Sequence, residues 1–141
     1  MILGANDKQN TGSCAANYIF SYRAFKNFGI CAGTGYEWSY QYGWLGGPVE
    51  SSRYGGVPVF LDLRYDIPIC GQKLFFTGVL DTGIECGIGK WRPFNHSFII
   101  MPQIGLKIKL YKSLHLNVRG VYRYLEAIGA NSGGINLGLS F

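Results

Sequence analysis

The chain is short of charge, and of the residues that build most sites. Charged residues make up 15% of its 141 positions, well under the ~25% of an ordinary soluble domain. The formal excess of +5 is small. Its basic residues form no run or stripe, which argues against a nucleic-acid binder. Only two histidines occur, His96 and His115, and neither has metal spacing or a Ser–His–Asp order around it. The four cysteines, Cys14, Cys31, Cys70 and Cys86, are too few for a disulfide-dense scaffold and read as small apolar residues. No run of about 18 apolar residues exists, so no transmembrane helix is predicted. The first residues, Met1 to Asp7, carry neither a basic n-region nor an apolar h-region, so no signal peptide is visible.

What is abundant is glycine, at 21 residues, together with ten tyrosines, nine phenylalanines and three tryptophans. That mixture favours strands and tight turns over helices. Seven segments alternate with a period of two: 14–25, 29–42, 57–66, 73–87, 98–110, 114–124 and 133–141. Their connections alternate between short and long, as in an up-and-down antiparallel meander clipped at one end and elaborated at the other.

The two faces of these segments differ sharply. One face runs through residues such as Tyr18, Phe20, Ala32, Trp38, Val59, Leu61, Leu80, Ile104, Leu106 and Leu137, and carries no charge. The other holds Arg23, Glu37, Asp62, Arg64, Asp66, Asp81, Glu85, Lys107, Lys109, Arg119 and Arg123, which is eleven of the 21 charged residues. Glycines crowd this same face, among them Gly33, Gly83 and Gly105.

A soluble barrel or sandwich with the apolar set inside would also alternate. The opposite arrangement turns the apolar set toward lipid and packs the charges into a narrow interior. Several features favour that inversion. The apolar face is free of charge throughout. Aromatic residues gather toward segment ends, as two interfacial girdles would require. Glycine crowds the charged face, and the chain closes on an alternating strand ending in Phe141.

The stretches Gly29–Glu37 and Val57–Tyr65, with the closing strand, resemble the small outer-membrane β-barrels of Gram-negative bacteria, the OmpA/OmpX-like group and its Bacteroidetes-type relatives. The resemblance implies an eight-stranded transmembrane barrel in the bacterial outer membrane, surrounded by lipid and lipopolysaccharide. It also implies that Ile135, Leu137, Leu139 and Phe141 form the signal read by the barrel-assembly machinery. Bacterial barrels have even strand numbers, and seven are visible here. Residues 1–13 are therefore expected to be the remnant of a first extracellular loop or a disordered N-terminus, with 14–141 as the barrel and the first strand and signal peptide missing. The rival is a stunted strand at residues 1–5, short of the ~9–11 residues a span needs.

The interior of an eight-stranded barrel is filled by side chains rather than open. Eleven charges there should pair into a plug, since unpaired buried charge is costly. Asp81 and Glu85 stand ~13 Å apart along a strand, too far for paired-carboxylate chemistry. Gly33-Thr34-Gly35 lacks the helix a phosphate loop needs. No enzyme, cofactor or metal is expected. Any specific contact, with lipopolysaccharide or a protein partner, falls to loop residues Trp44, Arg53, Lys90, Trp91 and Arg92. The alternative reading is a soluble lipocalin-like barrel whose apolar set lines a ligand cavity.

Overall fold

The computed structural model describes residues 2–6, 9–41, 53–71, 73–88, 96–126 and 130–140. They form eight antiparallel strands and, among the described residues, no α-helix: β1 Ile2–Asn6, β2 Gln9–Arg23, β3 Phe28–Gln41, β4 Arg53–Cys70, β5 Leu74–Ile88, β6 His96–Tyr111, β7 Leu114–Leu125 and β8 Ala130–Ser140. Each strand pairs with the next, and β1 pairs with β8, so the sheet closes into an up-and-down barrel. The predicted fold class is therefore found. The seven predicted segments correspond to β2–β8. β4 departs most from its predicted limits, starting at Arg53 and running past Pro68 to Cys70, with a register irregularity between Pro68 and Cys70.

The described residues among 1–13 are strand, rather than the loop or disordered remnant expected from the sequence. They contain β1 and the first residues of β2, paired as Gly4 with Ser13 and Ala5 with Gly12. β1 is the stunted strand of the rival reading. Five residues carry too little alternation to be read as a strand alone, and pairing on both sides is what holds them extended.

The turns follow local chemistry. Between β2 and β3, Phe25 and Phe28 exchange backbone hydrogen bonds of 3.1 and 3.3 Å. Between β4 and β5, Gly71 takes a φ of 55°, a conformation open to glycine at no steric cost.

Alternation sets the faces, and the buried positions recur every second residue. β5 buries Thr77, Val79, Asp81 and Glu85 and exposes Phe76, Leu80 and Ile84. β6 buries Ser97, Ile99, Met101, Gln103 and Lys107 and exposes Phe98, Ile104 and Leu106. The barrel is inverted relative to a soluble protein: among the described residues, most large apolar side chains lie outside and most charged ones inside. A lipocalin-like carrier needs the apolar set to line the interior, and here it does not.

Close approach of strands explains two interior glycines. A Cβ on Gly83 would collide with the Val59 carbonyl oxygen and lie 2.6 Å from Phe60 Cα; on Gly105 it would meet the Val118 carbonyl and Arg119 Cα in the same way. Backbone cannot swing aside as a side chain can. Gly83→Ala is expected to destabilise the barrel by about 1–3 kcal/mol through overpacking. Gly78→Ala, where nothing lies within 4 Å, should be neutral. Chemical unfolding of the two variants side by side checks the difference.

Candidate functional site

The side chains that could carry chemistry converge in the barrel interior, in two charged groups flanked by an apolar cluster. Toward the long-loop end, Arg123 from β7 donates to Glu37 of β3 through Nη1 and to Glu85 of β5 through Nη2. All three are buried. One guanidinium thus ties together three strands that are not neighbours. Gly56 makes room for this group, because a Cβ there would fall on the Glu85 carboxylate, 2.8 Å from its Cδ.

The second group lies toward the short-turn end. Arg64 holds Asp62 bidentately, with Nε donating to Oδ1 at 3.0 Å and Nη2 to Oδ2. Both come from β4, two residues apart, so this pair stiffens one strand rather than bridging two. Lys107 Nζ donates to Asp66 Oδ2 at 2.8 Å. Gln103 donates to Asp81 and accepts from Asn136 Nδ2 at 2.9 Å, which links β5, β6 and β8. Arg119 faces Asp62, Asp81, Asp66 and Arg64. It is buried, and its Nε has no hydrogen-bond partner among the described residues. Asn117 reaches the Ser140 hydroxyl at 3.1 Å.

Nine of the eleven predicted network residues are brought together in this way or face the interior beside it. Lys109 is half-buried near the short-turn end, opposite His115 in the ladder. Arg23 sits at the end of β2, and its side chain lies outside the described residues. Of the closing-strand positions, Ile135, Leu137 and Leu139 are exposed on the outer face, while Phe141 lies outside the described residues. So do the predicted loop contacts Trp44, Lys90, Trp91 and Arg92. Arg53 opens β4, and its side chain is likewise not described.

The sequence reading missed the interior apolar cluster. Ala15, Phe60, Ile99, Met101, Val121 and Leu125 pack together inside the barrel, with Ile19 against them. The signal was present: Val59-Phe60-Leu61 and Phe98-Ile99-Ile100 are unbroken apolar triplets, so the middle residue of each had to turn inward. The described interior thus carries both ion pairs and an apolar cluster.

Chemically the arrangement is poor in reactive groups. Among the described residues, no three His, Cys, Asp or Glu side chains gather to hold a metal. The four cysteines are unpaired. His115 Nδ1 donates to the Ser113 carbonyl, 2.8 Å away, at a turn. A cavity of about 300 Å³ opens at the short-turn end beside Arg64, Asp66, Lys107 and Ser140.

An all-β, up-and-down barrel with an apolar exterior and an ion-paired interior is the class of protein that these observations define. No family model matches the chain, and no curated protein or solved structure matches it either.

Proposed function

We propose that the protein is an integral outer-membrane β-barrel of the OmpA/OmpX type with a structural or surface-interaction role. The observation that carries this reading is the inversion of its faces. Asp62 and Glu85 are fully buried, while Ile104 is 63% and Phe20 67% exposed. A protein dissolved in water would lose most of the stabilisation available to it by leaving so many large apolar side chains outside. In hydrocarbon that exterior is the favourable one, and a closed sheet is one of only two ways to satisfy a spanning backbone.

The girdles support the same reading. Tyr36 and Trp38 lie against one another on the outer face, with ring centroids 5.4 Å apart, near the long-loop end. Tyr65 and Tyr111 are exposed near the short turns. Amphipathic rings in two belts suit the two headgroup regions.

In this reading the ion pairs and the apolar cluster plug the lumen, so the barrel is neither an open pore nor an enzyme. Its surroundings are outer-membrane lipid and lipopolysaccharide. Ile135, Leu137 and Leu139 belong to the strand that the barrel-assembly machinery reads, and the loops at the long-loop end are left for any protein partner. Fractionation tests the proposal. The protein should sediment with membranes, resist alkaline carbonate and enter solution only with detergent. Recovery in the soluble fraction without detergent would overturn it.

A further inference from the structure

The up-and-down order puts three hairpin turns at one end of the barrel, between β2 and β3, β4 and β5, and β6 and β7. Each turn carries a lysine, and Lys26, Lys73 and Lys112 are all exposed. The charge of the chain gathers with them. Residues 23–29, 64–75 and 107–116 hold seven of the 13 lysines and arginines, but only Asp66 of the eight acidic residues. The rest of the sequence holds six cations and seven anions, so the whole excess of +5 comes from this end. No basic run announces it, because the sheet brings together turns that lie far apart in the chain.

The cations deeper in this end are already taken up. Arg64 is paired with Asp62 and Lys107 with Asp66. Among the described residues, Lys26 is the one lysine or arginine lining the 300 Å³ cavity that has no ion pair. A small soluble anion in the mouth would therefore find little open charge. The turn lysines stand instead on the rim, bordered by the exposed side chains of Tyr22, Phe25, Tyr65, Ile69, Leu110 and Tyr111. Lys112 Nζ lies 5.2 Å from the centre of the Tyr111 ring. Its backbone takes a φ of 44°, a left-handed conformation that glycine or asparagine adopts more easily than lysine. A lysine just beyond an aromatic belt can rest its stem on apolar surface and hold its ammonium at headgroup level.

We propose that the short-turn rim binds acidic phospholipid headgroups, with Lys26, Lys73 and Lys112 each meeting a phosphate in the leaflet at that end. The inference rests on the membrane reading above. Charge complementarity carries it, since lysines beside a membrane surface draw acidic lipids toward them. Each lysine has its own hairpin, about 10 Å from the next around the rim at the usual strand spacing. Three separate headgroups suit that layout better than one compact ligand.

The test uses the full chain in mixed micelles holding equal amounts of phosphatidylglycerol and phosphatidylcholine with the same acyl chains. Native mass spectrometry reads which lipid stays bound. The parent should retain phosphatidylglycerol over phosphatidylcholine by about fivefold or more, the factor for one lysine at an anionic surface. Lys26→Gln, Lys73→Gln and Lys112→Gln together should abolish the preference, and arginine at the same three positions should keep it. Heat-modifiability on a gel shows that each variant is folded. Added salt should weaken the parent's preference, because exposed charges are screened. Equal retention of the two lipids by the parent overturns the proposal, as does a preference that survives the three glutamines. Loss with arginine as well would trace the effect to the shape of the turns and overturn it too. A preference that salt leaves unmoved overturns it without any variant. A barrel that stays in solution and retains neither lipid overturns the membrane reading along with it, and is told apart from equal retention by that outcome.

Discussion

Arg123→Met should cost the barrel about 3–5 kcal/mol, the range for removing one partner of a buried ion pair. The guanidinium is the sole described cation paired with Glu37 and Glu85, and Met keeps most of its volume. The loss would therefore come from two carboxylates stranded in a closed interior, not from a cavity. A further step separates these causes. Glu37→Gln and Glu85→Gln added to Arg123→Met remove both stranded charges, and most of the lost stability should return, because replacing a whole buried charged group is far less costly than breaking it. Midpoints of urea unfolding, followed by tryptophan fluorescence, give the comparison. If the single variant unfolds within 1 kcal/mol of the parent, the triad does not tie β3, β5 and β7 together.

How far the triad and its surroundings were legible in the sequence depends on which question is asked. Seven strands and their faces followed from period-two alternation, because pleating puts every second side chain on the same side and no charge interrupts the outer set. Membership of the interior network followed for the same reason. Its partners did not. Arg123 meets Glu37, 86 residues away, only because the stagger between strands carries β7 to the height of β3 across the lumen, and stagger leaves no mark in a single sequence. Arg64 and Asp62 were the easier pair, two positions apart on one face. β1 stood only as the rival reading because five residues, Ile2–Asn6, offer two alternations at most, and its place is fixed by long-range pairing with β8. Phe60, Ile99, Met101 and Val121 escaped for a different reason: charge and glycine were used to define the inner face, and these four carry neither.

Leu61→Arg should separate the two media in which such a barrel could live. Leu61 lies in the middle of β4, is 44% exposed, and pairs with Ala32 on one side and Thr82 on the other. In a bilayer this position falls near the midplane, where an arginine on the lipid face costs about 2–4 kcal/mol. In water the same side chain points into solvent, and the change should stay within about 0.5 kcal/mol of neutral. Because the outward direction of Leu61 is set by the barrel itself, a destabilised core is not a competing explanation for the loss. The variant should thus fold less completely into lipid vesicles than the parent, read as the fraction of heat-modifiable barrel on a gel. Ser113→Arg, at an exposed short turn outside the hydrocarbon band, should fold as the parent does. Equal folding yields for Leu61→Arg and the parent would remove lipid from the outer face, and with it the explanation of why this barrel is built inside out.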